Sequence, residues 1–113
     1  EADFKRNYLH IEDAVDGFIF AMMNQSLLGQ TFNLGYSNAN LSKRELCEVI
    51  KKQLPNFVYL ISEIGEDVDK RNYIVSNKKI EDAGFCATRS VEQGVKELIK
   101  AMPLLKRNQF ANI

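Results

Sequence analysis

Arg6-Asn7-Tyr8-Leu9-His10-Ile11-Glu12-Asp13 holds a change of periodicity within one short stretch. Alternation places Tyr8 and His10 on one face and Leu9 and Ile11 on the other, which predicts a short strand over 8–11. From Asp13 the spacing turns helical, with Val15, Phe18, Ile19, Met22 and Met23 recurring on one side up to Asn24. Asp13 is then placed to accept backbone N–H bonds at the start of that helix. The Met22-Met23 pair reads as core filling.

Working outward, Gly29 fits a helix stop, and Thr31-Phe32-Asn33-Leu34-Gly35 predicts a second strand. The first two strands flank a helix in the manner of a parallel crossover unit. Ser42-Lys43-Arg44-Glu45 has the spacing of a capping box, opening a helix through Leu46, Val49, Ile50 and Leu54 that Pro55 stops. Phe57 to Ile61 predicts a third strand and Tyr73-Ile74-Val75 a fourth. Between them lies an acidic loop, 63–70, centred on Gly65. Ser76 is expected to cap a short helix with Ile80 and Ala83, ended by Gly84. Ser90-Val91-Glu92-Gln93 reads as a second capping box, opening a helix with Val91, Val95, Leu98, Ile99 and Met102. The expected fold class is therefore α/β, a mixed arrangement over 1–105, with the later pieces as a small satellite lobe and a frayed tail over 106–113.

At 113 residues the chain is one domain or a piece of one. It opens on Glu1 instead of Met, so a segment cut or processed from a longer polypeptide is expected. Fifteen basic and fifteen acidic residues cancel, which removes the electrostatic case for nucleic acid or an anionic membrane. No apolar run approaches the ~18 residues of a membrane span. Cys47 and Cys86 lack metal-ligand spacing, and one histidine does not complete a zinc site with them. Both read as reduced structural thiols of a cytoplasmic protein. The acidic loop with Glu63, Glu66, Asp67 and Asp69 lacks the oxygen-ligand pattern of a calcium loop and reads as solvated.

Three spaced segments and a closing helix resemble the C-terminal region of extended short-chain dehydrogenases/reductases, the NAD-dependent epimerases and dehydratases of nucleoside-diphosphate sugars. The first is Arg-x-aromatic-x-His-aliphatic-x-Asp, here Arg6, Tyr8, His10, Ile11 and Asp13. The second is the strand ending in Asn33, Leu34 and Gly35. The third runs from Asp67 through Arg71, Tyr73 and the Ser76–Ile80 segment to Ala83-Gly84-Phe85. The closing helix carries Ser90, Glu92, Gly94 and Val95. Together they cover roughly residues 4–102.

The resemblance implies the C-terminal, substrate-binding part of a Rossmann-type enzyme. NAD or NADP would be bound by an N-terminal dinucleotide-binding half and not by these residues. It implies that Arg6 and Arg71 approach a diphosphate from two sides, a task suited to the planar guanidinium. Tyr8 would face the base or sugar, and Asn33 would bond a loop or shape the pocket floor. His10 and Asp13 would be structural groups of the strand-to-helix turn. Gly35 would allow a close backbone approach or a tight turn. The plainer reading makes the arginines surface residues, paired with Asp13 or Asp67, and Tyr8 a half-buried strand aromatic.

No catalytic residue is expected here. The chain has no Gly-rich loop after a strand. A tyrosine followed four residues later by lysine is also absent: Tyr8, Tyr36, Tyr59 and Tyr73 are followed by Glu12, Asn40, Glu63 and Asn77. The chain alone therefore does not carry hydride transfer. The implied partners are a nucleoside-diphosphate sugar and the dinucleotide-binding half, with homo-oligomerisation left open. The alternative is a stand-alone, non-catalytic module that binds nucleotide sugars or proteins.

Overall fold

Asparagine side chains do much of the work that strands were expected to do. In the computed structural model, which describes residues 2–62 and 71–105, one two-stranded sheet is present among the described residues. Strand β1 is Lys5–Asn7 and β2 is Asn40–Ser42. They are antiparallel, with Lys5 opposite Ser42, Arg6 opposite Leu41 and Asn7 opposite Asn40. The Tyr8 N–H extends this pairing to the Ala39 carbonyl at 3.0 Å.

The expected parallel crossover is thus corrected to an antiparallel pair, and the strand expected at 8–11 lies earlier, at 5–7. Residues 31–35 alternate in burial, with Phe32 and Leu34 half-buried and Thr31 and Asn33 exposed. They form no ladder with a described neighbour, and alternation alone does not make a strand. Residues 57–61 and 73–75 likewise join no sheet. At Val75 the pairing is made by the Asn40 amide, whose Oδ1 accepts from Val75 N–H at 2.9 Å while its Nδ2 donates to Val75 O at 3.0 Å. Asn7 does the same for Tyr36, accepting from its N–H at 3.1 Å and donating to its carbonyl at 2.8 Å. A side-chain amide reproduces one rung of a ladder because it carries the same donor and acceptor as the backbone. The loop 63–70 and the tail 106–113 lie outside the described residues.

Helix α1 spans Ile11–Met23. Asp13 and Gly17 are buried, and Phe20 meets Phe85 with ring centroids 5.6 Å apart. Gly17 lies so close to Leu34 that a Cβ would fall 2.6 Å from its Cδ1. The opposite side is open: Phe18 is 67 %, Met22 76 % and Met23 79 % exposed. The expectation that Met22 and Met23 fill a core is corrected here, since no described element covers them.

Helix α2, Lys43–Gln53, begins with the predicted capping box. Ser42 Oγ accepts from Glu45 N–H at 3.1 Å and Glu45 Oε2 accepts from Ser42 N–H at 2.6 Å. Lys5 Nζ also donates to Glu45 at 2.7 Å, fixing the helix to β1. Helix α3, Lys78–Asp82, is preceded by Asn77 instead of Ser76. It ends as expected at Gly84, whose φ of 107° is readily adopted by glycine. Helix α4, Val91–Ala101, packs on α2. Ser90 caps it by accepting from Gln93 N–H at 3.2 Å, but the Gln93 side chain turns to Glu97 at 3.0 Å. The second box is therefore only half a box. Leu27, Ala39, Ile80 and Val95 are the buried apolar side chains among the described residues, a thin core for a chain with so many large apolar groups.

Candidate substrate-binding site

Two adjoining neighbourhoods gather the residues singled out from sequence. The first is a corner at β1. The Arg6 guanidinium donates to the Arg71 carbonyl and to the Lys5 carbonyl, the latter at 2.8 Å, and its Cζ lies 5.2 Å from the centre of the Tyr73 ring. A guanidinium stacked on an aromatic face can at the same time donate in its own plane, as Arg6 does to these two carbonyls. Arg6 and Arg71 are thus neighbours in space across 65 positions of sequence. Beside them, Lys5 N–H donates to the Asn72 side chain at 2.8 Å, which ties the 71–75 segment to the strand.

The second is a largely apolar cavity of about 520 Å³ between the β1–α1 connection and α4. Tyr8, Leu9, His10 and Ile11 all line it, with Leu46, Val95 and Leu98 among the residues opposite. The predicted separation of Tyr8 and His10 from Leu9 and Ile11 is corrected by this, because the segment is a connection and not a strand. Burial raises the Tyr8 hydroxyl above its ordinary pKa, partly offset by the positive charges of Lys43 and Arg6. Tyr8 thus lines the cavity two positions in sequence after Arg6. Neither arginine lines the cavity.

Asn33 is exposed and donates to the Ser76 carbonyl at 3.1 Å, so it ties a loop and does not line the cavity. Gly35 is buried, and a Cβ there would lie 2.0 Å from Asn7 Oδ1 and 2.9 Å from Asn77 Oδ1. Its φ is not positive, so glycine serves close approach at this position. Asn77 is 1 % exposed.

His10, and not Asp13, is the N-cap of α1; its Nδ1 accepts from Glu12 N–H at 3.2 Å. Asp13 faces inward and holds the chain that leads into α4. Its Oδ2 accepts from Arg89 N–H at 2.8 Å and Thr88 N–H at 3.2 Å, and its Oδ1 from the Arg89 guanidinium at 2.7 Å. The expected role of Asp13 as a cap of its own helix is corrected accordingly. Burial pushes the Asp13 carboxyl upward, but these hydrogen bonds outweigh it and hold the group below the usual carboxylate range. Arg89 also pairs with Glu12 at 2.7 Å and Asp16 at 2.9 Å, and its pKa is raised, first by Asp16 and then by Asp13. Arg89 went unmarked in the sequence, since nothing about an arginine before a Ser cap distinguishes it from a surface residue.

Both cysteines are free thiols, Cys47 half-buried and Cys86 exposed. Among the described residues no three His, Cys, Asp or Glu side chains gather to hold a metal ion, and no helix is long and apolar enough to cross a membrane. No family model matches the chain.

Proposed function

We propose that this chain is the C-terminal, substrate-binding part of a cytoplasmic NAD(P)-dependent nucleoside-diphosphate-sugar epimerase or dehydratase. In that reading it positions the nucleotide sugar for reversible hydride transfer carried out by a dinucleotide-binding half outside these residues. The observation that carries it is the Arg6 guanidinium held on the Tyr73 ring and the Arg71 backbone carbonyl at β1, two positions in sequence before Tyr8, which lines the cavity. A guanidinium over an aromatic ring is the chemistry a diphosphate with an attached ring system would use, and the Arg71 backbone brings a second arginine to the same segment. The open apolar face of α1 supports a further layer of the same enzyme, because a wide apolar stripe left exposed on a helix is a surface that another layer would bury.

The residues here do not fit a dinucleotide. The turn from β1 into α1 is Tyr8-Leu9-His10, with no glycine to admit a phosphate. The His10 side chain occupies the Glu12 N–H, and Glu12 and Asp13 place negative charge in the first turn. No chemical step is therefore assigned to the chain itself. Its contribution is orientation of the bound sugar, which converts binding energy into rate.

The test is the coding sequence upstream of Glu1. The expected finding is roughly 180 to 220 further codons, a typical domain's worth, encoding a strand-linked Gly-rich loop and a tyrosine followed four residues later by lysine. A start codon just before Glu1 overturns the enzymatic reading and leaves a stand-alone binding or interaction module. In the intact protein, Arg6→Ala with Arg71→Ala is expected to weaken nucleoside-diphosphate binding; unchanged affinity makes both arginines surface residues.

A further inference from the structure

His10 is the single histidine of the chain, and its ring touches two helices at once. Nδ1 accepts the Glu12 N–H at 3.2 Å and therefore carries no proton. The ring proton then resides on Nε2, which lies 2.9 Å from Glu97 Oε2 on α4 and donates to it. The ring edge rests on Gly94, where a Cβ would lie 3.3 Å from Cδ2. One imidazole thus caps α1 and fastens it to α4, and both contacts need the same tautomer.

The charged and titratable groups facing it are Glu12 on α1, Glu97 on α4, Tyr8 before it and Arg89 on the segment entering α4. Arg89 is already held by Glu12, Asp13 and Asp16. Glu97 is held below the usual carboxylate range by the Gln93 side chain and by His10, so it stays ionised where a histidine titrates.

We propose that His10 is a proton-sensitive latch: the neutral ring caps α1 and binds Glu97, whereas a ring protonated on Nδ1 keeps Glu97 and releases the cap. A protonated Nδ1 presents N–H to N–H at Glu12 and places positive charge at the positive end of the helix dipole. The ion pair with Glu97 meanwhile becomes charge-assisted. Acid therefore loosens the first turn of α1 while the tether to α4 holds. Tyr8, Leu9, Ile11 and Glu12 line the cavity with His10, so loosening the first turn of α1 alters that wall of the cavity. The latch is made of the chain's own residues and requires neither nucleotide nor cofactor.

The experiment is NMR of the 113-residue chain from about pH 8 to pH 5. With one histidine, the ring nitrogen signals need no assignment. The expected result is a neutral Nε2–H tautomer that titrates together with the Glu12 amide signal. Once the intrinsic, base-catalysed slowing of exchange at lower pH is divided out, the protection of that amide falls roughly fivefold on protonation, the size of one lost cap. His10→Asn supplies a capping oxygen that does not titrate and is expected to make the Glu12 amide indifferent to pH in this range. Glu97→Ala removes the acceptor and is expected to keep the coupled titration while losing the tether to α4. A neutral Nδ1–H tautomer, or a Glu12 amide that follows pH equally in His10→Asn, overturns the latch.

Discussion

The two sides of α1 carry similar spacing and meet opposite fates. Asp13, Gly17 and Phe20, at intervals of four and three, face the rest of the chain: a buried carboxylate, a glycine under Leu34 and a ring against Phe85. Ile11, Val15, Phe18 and Met22, at intervals of four, three and four, face outward and stay half or more exposed. The helix is thus fastened through a polar residue and a gap, while its richest apolar stripe is unused. Periodicity identifies a stripe that something must cover; it does not say whether the cover lies within the same residues.

The fastened side is where substitution costs most. Asp13→Ala removes the acceptor for two backbone N–H groups and the buried partner of Arg89. The expected loss is about 3 kcal/mol in urea unfolding, the usual result of breaking a buried pair from one side. Asp16→Ala touches the same guanidinium from an exposed position and should cost less than about 1 kcal/mol. Equal losses would dissolve the distinction between the two. The pH dependence has a definite sign. A carboxyl whose native pKa is depressed adds stability that is fully present above its unfolded pKa and drains away as pH falls through the native value. Asp13→Asn should flatten the acid limb of the stability profile, measured by Tm against pH.

Gly35→Ala comes next. It drives a methyl into Asn7 Oδ1, and Asn7 cannot retreat without releasing both backbone bonds to Tyr36. An expected loss of about 1–3 kcal/mol follows from the overpacking, with Tyr36 N–H exchange as its local reporter. Ser42→Ala removes one half of the capping box at α2 and should cost about 1 kcal/mol.

These effects mark what was legible. Capping boxes and glycine stops are local chemistry, so Ser42, Glu45, Ser90 and Gly84 could be read directly. Residues 31–35 and 57–61 carried strand-forming residues, but a strand also needs a neighbour, and a sequence does not name one. Asn7 and Asn40 stand in for missing backbone partners, and polar residues in turns ordinarily signal only a turn. Of the expected site, the resemblance put Arg6 and Arg71 near each other and the Arg6 guanidinium does reach the Arg71 backbone, Tyr8 lines the cavity, and Asn33 bonds a loop, one of its two expected roles, without lining the cavity. Arg89 had no local signal, because its partners lie more than seventy positions away.

The smallest effect on stability probes the open side of α1 and bears most directly on what covers it. Phe18→Ser and Met22→Ser exchange exposed apolar groups for polar ones in the free chain, so each should change unfolding free energy by no more than about 0.5 kcal/mol. Their effect should appear instead in sedimentation. A contiguous apolar face of this kind drives association when left bare, so the unmodified chain is expected to self-associate and the double variant to run as a monomer. In a complete two-part enzyme the same pair should separate the parts or lower Tm by weakening the contact between them. If the double variant instead unfolds the free chain by several kcal/mol, the outward stripe of α1 is already covered by residues of this chain, and its two sides are alike after all.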